Sequence, residues 1–124
     1  MAAVDIVDPG NVGALTRTAH AGGAAALLAV GASDPFHPRA TRISRGSIFR
    51  QPVVAYETAE ALLIDLRRHG IAAAGAVAGG GIPLPAVRWP CTGAAILMGN
   101  EAEGLSPRIP VSYTHLTLPT SDLV

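Results

Sequence analysis

Asn11 and Arg17 stand six residues apart in "DPGNVGALTRTAH" (residues 8–20), directly after an apolar run. Glu101 stands in "GNEAEGLS" (99–106), directly after another. An arginine orients a phosphate or carboxylate with its planar fork of donors and stabilises negative charge developing on an oxygen. Free arginine is no base at neutral pH, so Arg17 reads as an orienting and charge-stabilising group. Asn11 carries a side-chain oxygen suited to capping a helix and supporting that end, and Gly10 and Gly13 let backbone come close to a ligand. The carboxylate of Glu101 is the kind of group that pins a guanidinium or the loop around it. The same residues also spell an ordinary capped helix with a surface arginine, with Asn100 and Glu101 capping the next turn and Glu103 solvated. Neither segment alone decides between these readings.

The elements that must position these residues alternate along the chain. Residues 2–7 form a brief apolar run, residues 8–11 a turn and N-cap, and residues 12–21 a helix stopped by Gly22 and Gly23. A strand over 26–30 follows, then a short helix over 38–44 on which Arg39, Arg42 and Arg45 recur every third residue and share roughly one face. After a short strand over 53–55, Thr58 caps a helix whose stripe is Leu62, Leu66 and His69 and whose end is Gly70. Strands over 71–78 and 94–98 flank a Gly/Pro-rich connection over 79–92. Strands alternating with helices at this spacing predict one α/β domain with a mostly parallel, buried sheet. In such a sheet ligands sit beyond the carboxyl ends of strands, where both candidate segments begin.

Composition narrows the classes. The 124 residues carry no formal net charge, so no global field favours nucleic acid, membrane or acidic partners. All nine basic residues are arginine, and five of them (Arg17, Arg39, Arg42, Arg45, Arg50) lie in the first fifty positions. That cluster is a candidate anion surface, with an Arg- and Ala-rich codon preference as the plain alternative. The single cysteine, Cys91, excludes an internal disulfide and fits a reducing, cytoplasmic compartment. The sequence shows no signal-peptide pattern and no uninterrupted apolar run of membrane-spanning length. No His or Cys cluster has metal-ligand spacing, so no metal is expected. His20 and His37 read as surface and loop residues.

Taken together, the two segments resemble the SpoU/TrmH branch of the SPOUT superfamily, enzymes that move a methyl group from S-adenosylmethionine to a ribose 2′-hydroxyl in RNA. "DPGNVGALTRTA" is similar to the family's first motif, "TRISRGSIFRQPV" (41–53) to its Arg/Ser/Gly segment, and "ILMGNEAEGLS" (96–106) to its second motif. The resemblance runs collinearly over residues 1 to 110. It implies a SPOUT-like α/β knot fold and a homodimer acting on rRNA or tRNA, with Asn11, Arg17 and Glu101 as the catalytic set. It also implies donor contacts, largely main-chain, at Ala78, Gly99, Asn100 and Ile109, and RNA contacts at Arg39, Arg42, Ser44 and Arg45. Phosphate contacts of that kind supply affinity without reading sequence.

Two other classes compete. One is a noncatalytic RNA-binding or structural α/β fragment. The other is a nucleotide-binding Rossmann-like module, against which count the missing third glycine and the missing acidic residue about twenty positions on. The family's third motif, an Ile-Pro segment followed by Ser-Leu-Asn and a helix, begins at Ile109-Pro110 and then stops. Residues 111–124, "VSYTHLTLPTSDLV", contain no Arg and no Gly. One back-translation of Val-Ser-Tyr-Thr-His-Leu resembles the end of a transposon adapter used in sequencing libraries. The expectation is therefore a partial catalytic domain over 1–110 without its knot-forming segment, followed by a non-native tail.

Overall fold

The computed structural model describes residues 1–77, 82–99 and 113–117. Among the described residues seven strands form one sheet: β1 (Ala2–Val4), β2 (Leu27–Val30), β3 (Val53–Tyr56), β4 (Ala72–Val77), β5 (Ile82–Pro83), β6 (Ala94–Met98) and β7 (Tyr113–Thr117). Their order is β3-β2-β1-β6-β4-β7-β5, and each neighbouring pair is parallel. The central strands are short apolar segments such as LLAV and AAILM, as a sheet covered on both faces requires.

Three helices do the covering: α1 (Pro9–Ala21), α2 (Pro38–Ile43) and α3 (Ala59–Arg68). On one face Leu62, Leu63 and Leu66 of α3 pack with Val4, Val30 and Leu97. On the other, Val12 of α1 and Ala40 of α2 pack with Ala3 and Ile6. A parallel sheet flanked by helices is thus the architecture, as the alternating pattern predicts.

Local chemistry sets the helix ends. Thr58 caps α3 by accepting from the Ala61 N–H at 3.1 Å, and Gly70 turns the chain out at φ +70°. His69 leaves the predicted stripe: Leu62 and Leu66 are buried, whereas His69 ends the helix with its ring exposed, Nδ1 3.6 Å from the Asp65 carboxylate. The start of α1 also differs from the reading that made Asn11 its cap. Asp8 caps it, accepting from the Gly10 N–H at 3.3 Å, and Pro9 occupies the first turn. Proline there costs no hydrogen bond and arrives with helical φ, so Asp-Pro outcompetes the later asparagine for the start signal.

The connection over 79–92 holds β5 and a 3₁₀ turn, Leu84–Ala86. β7 falls inside the segment that composition sets apart as a tail, pairing with β4 on one side and β5 on the other.

Candidate functional site

The sheet reverses its winding beside β1. From β1 the chain runs outward through β2 to β3, then crosses to β4 and returns through β6, which inserts between β1 and β4. Beyond the carboxyl ends of strands at such a reversal, loops diverge and leave a crevice. Register says which residues meet there. Ala3 pairs with Met98, and Gly75 pairs with Leu97. Extending both ladders in step brings Gly99 level with Val4 on one side and Val77 on the other. The strand ends preceding Asp8, Ala78 and Asn100 therefore open side by side.

The loop leaving β1 is held tightly. Asp5 adopts φ +51°, and its N–H donates to the Val30 carbonyl at 3.1 Å. Its carboxylate accepts from the Ala32 N–H at 3.0 Å. A Cβ on Gly31, itself at φ +62°, would come within 2.0 Å of Asp5 Oδ1, so only glycine fits beneath that carboxylate. The Ile6 N–H next donates to Ser33 Oγ at 2.9 Å. Asp5, Gly31 and Ser33 thereby fix the path of the backbone that delivers Asp8 and α1 to the crevice. No short-range sequence signal marks this latch, because it joins residues 25 to 27 positions apart.

α1 and α2 pack through Gly13. A Cβ there would lie 2.4 Å from the Ala40 carbonyl oxygen and 3.0 Å from Ala40 Cα. This glycine therefore serves helix packing and not, as the sequence suggests, close approach of a ligand. Gly10 has only ordinary contacts at 3.4 Å, with Arg39, Asp8 and Ile43. Arg39 reaches the Asp8 carboxylate at 3.6 Å, which ties the first residue of the arginine row to the cap of α1.

Arg39, Arg42 and Arg45 are all exposed. Ser44 departs from the expected RNA-contacting set. Its side chain is fully buried, its hydroxyl donates to the Thr41 carbonyl at 2.7 Å and accepts from the Ile48 N–H at 3.4 Å. It joins α2 to the following 3₁₀ turn, Ser47–Phe49, and so positions the arginines without offering atoms of its own. Arg45 at φ +53° and Gly46 at φ +86° make the bend between the two. The turn is moored to α1 by His20 Nδ1 and Ser47 Oγ, 3.1 Å apart. His20 thus has a structural partner that its sequence neighbours do not announce.

Of the expected catalytic set, Asn11 lies half-buried in the first turn of α1 and Arg17 is exposed in its middle. Six residues of α-helix separate them by about 9 Å along the axis and about 120° around it, so α1 alone does not bring them together. Glu101 lies outside the described residues, as do Ala78, Asn100 and Ile109. Gly99 is described and partly buried at the end of β6. Among the described residues no group of His, Cys, Asp and Glu is placed to hold a metal. A separate cavity of about 260 Å³ lies against α3, lined by Met1, Leu28, Tyr56, Asp65 and His69.

An all-parallel α/β domain with its candidate site at a strand-order reversal is the class of protein that this geometry defines. The model of the SpoU rRNA Methylase family matches residues 1–122, and the chain belongs to that family. It is 32% identical over 101 residues to the 23S rRNA (guanosine(2553)-2'-O)-methyltransferase RlmP of Bacillus subtilis, covering 81% of this chain and 40% of that protein. Among solved structures, the SpoU methyltransferase AviRb from Streptomyces viridochromogenes, in complex with the cofactor AdoMet, superposes with a TM-score of 0.82 at 29% identity over 97% of this chain and 48% of that one. An AdoMet-bound rRNA methyltransferase from Sinorhizobium meliloti gives 0.84 at 28% identity, covering 94% and 45%. The chain thus spans less than half the length of these relatives.

Proposed function

We propose that the domain is the catalytic core of an S-adenosylmethionine-dependent methyltransferase acting on a ribose 2′-hydroxyl of rRNA or tRNA. The observation that carries this reading is the alignment of the β1, β4 and β6 carboxyl ends, where Ala3 pairs with Met98 and Gly75 with Leu97. It is supported by the family and by similarity to structures that hold the methyl donor. The crevice takes the donor largely through main chain at Ala78, Gly99, Asn100 and Ile109. In the reaction the sulfur–methyl bond breaks as the oxygen–methyl bond forms, the electron pair returns to sulfur, and the hydroxyl proton leaves to solvent. Such an in-line displacement depends on aiming one oxygen at the methyl carbon. Arg17 orients the RNA and stabilises the developing alkoxide, Asn11 supports the start of α1, and Glu101 pins the guanidinium or its loop.

The RNA rests on the row Arg39, Arg42 and Arg45. The complete enzyme works as a homodimer in the cytoplasm, where its RNA is and where Cys91 stays reduced. Among the described residues no helix is long and apolar enough to cross a membrane. The proposal keeps residues 1–110 as a partial catalytic domain and residues 111–124 as a foreign tail, so the chain as it stands transfers no methyl group. β7 pairs with β4 and β5 within this segment and the family match runs to residue 122, so the origin of the tail is a question for the DNA. Amplifying the junction from genomic DNA without a transposon-built library tests it. A product encoding VSYTHL in the organism's own DNA overturns the foreign tail.

For the activity, Arg17→Ala is the deciding variant in a form carrying the complete third motif. Incorporation of labelled methyl into RNA falls below detection, while donor affinity by isothermal titration stays within a few-fold. Equal loss of both places Arg17 on the donor and overturns its assignment. Titration with NAD in parallel tests the nucleotide-binding alternative, and a preference for NAD sinks the methyltransferase reading.

A further inference from the structure

Both phenylalanines of the chain lie on its surface, Phe36 at 64% exposure and Phe49 at 82%. Large apolar rings are among the side chains a small domain has most to gain by burying. Here the core is filled by Leu, Val, Ile and Ala instead. One exposed ring carries little meaning, but the neighbours of these two carry a good deal. Phe36 opens the stretch Phe36-His37-Pro38-Arg39, and Phe49 precedes Arg50. Between them Arg39, Arg42, Arg45 and Phe49 are exposed at intervals of three or four residues, while Ala40, Ser44, Ser47 and Ile48 are buried. The buried members hold this stretch against α1, through Ala40 at Gly13 and Ser47 at His20, and leave the four exposed side chains in solvent on either side of the bend at Arg45–Gly46. Phe36 stands at the start of this segment, its N–H held by Asp34 Oδ1 at 3.0 Å.

We propose that Phe36 and Phe49 are stacking platforms for unpaired RNA bases, at the two ends of the arginine row that carries the phosphates. The proposal rests on the RNA-binding part of the function proposed above and adds the kind of RNA: single-stranded or looped, with bases free to turn outward. Aromatic rings interleaved with cations are how proteins hold unpaired nucleic acid, because every base offers a π-face while phosphates supply opposite charge. A duplex keeps its bases stacked on one another and offers these rings nothing. Charge also argues against a second copy of the chain as the occupant. A two-fold contact through this face would set each row of arginines against its own image. Among the described residues only Asp8 forms an ion pair with the row, at Arg39.

The test uses the whole chain, a fluorescein-labelled single-stranded RNA dodecamer and the same strand annealed to its complement. At fixed salt, Phe49→Ala weakens binding of the single strand by about 5- to 100-fold, and Phe36→Ala falls in the same range. Duplex binding changes less than two-fold, and the dependence of affinity on salt keeps its slope because no phosphate contact is lost. Phe49→Tyr and Phe49→Trp retain affinity, whereas Phe49→Leu, apolar but unable to stack, does not. Wild-type binding with Phe49→Leu and Phe36→Ala unaffected overturns the platforms while leaving RNA binding in place. Absence of RNA binding by the wild-type chain overturns the RNA reading itself. Loss of a concentration-dependent dimer in Phe49→Ala with unchanged RNA affinity assigns the surface to a second copy.

Discussion

Gly10 and Gly13 show how one residue type serves two ends within one turn of α1. A methyl group at Gly13 must displace the backbone of Ala40, whereas at Gly10 it meets only contacts at 3.4 Å. Overpacking against backbone outweighs the helix propensity that alanine adds, so Gly13→Ala loses about 2 kcal/mol while Gly10→Ala gains about 0.5 kcal/mol. Urea midpoints at constant m-value check both. Tyr56 offers a second test at this scale. Its hydroxyl donates to the Asp65 carboxylate, and that bond, with burial and the nearby negative charge, raises its pKa above the ordinary 10.0. The folded state therefore holds the phenolic proton more tightly than the unfolded chain does. The resulting stability is fully present below about pH 10 and is lost as pH rises from there through the folded-state pKa. Measured from pH 9 to 11, stability of the wild type falls more steeply than that of Tyr56→Phe; parallel curves would remove this bond from the account.

At the scale of elements, α2 and its following turn form a strip with an arginine face. Replacing Arg39, Arg42 and Arg45 together with alanine weakens RNA binding and lowers the slope of log affinity against log salt by about 2 to 3, close to one released counterion per contact. An unchanged slope makes the three ordinary solvated charges. Much of this architecture is legible without coordinates. Thr58 and Gly70 bracket α3 because a cap oxygen and a left-handed turn are local demands that particular residues meet. β2, α2 and β6 sit within a residue of the ranges the sequence predicts for them, 26–30, 38–44 and 94–98. What escapes is non-local. Asn11 loses the cap to Asp8 through competition among adjacent signals, and Ser44 looks like a surface hydroxyl until α2 and the 3₁₀ turn close over it. Gly13 reads as room for a ligand because the sequence does not say that α2 will occupy that space. The crevice is legible as two strand ends, but the register that aligns three of them belongs to the folded sheet.

The whole molecule sets its winding reversal between β1 and β6, inside the sheet, and holds a separate cavity against α3, where Tyr56 meets Asp65. If residues 111–124 are foreign, the side chains of β7 were never selected to face this sheet. Shuffling the order of residues 113–117 then leaves the thermal midpoint within about 2 °C, since composition is kept and no fitted side-chain packing is lost. A larger fall marks side chains fitted to their two faces, because a changed order exchanges inward and outward residues. The close seat of Gly13 on Ala40 has a mechanical meaning for an enzyme of this kind. With no room for even a methyl group between them, α1 and α2 share one rigid frame, and neither slides on the other without lifting it. Arg17 on α1 and Arg39 and Arg42 on α2 are thus carried by one frame. On the proposed reading, in which the row carries phosphates and Arg17 meets the ribose, a strand settled one phosphate further along brings a different ribose to Arg17, so the choice of nucleotide becomes a question of phase between the strand and this frame.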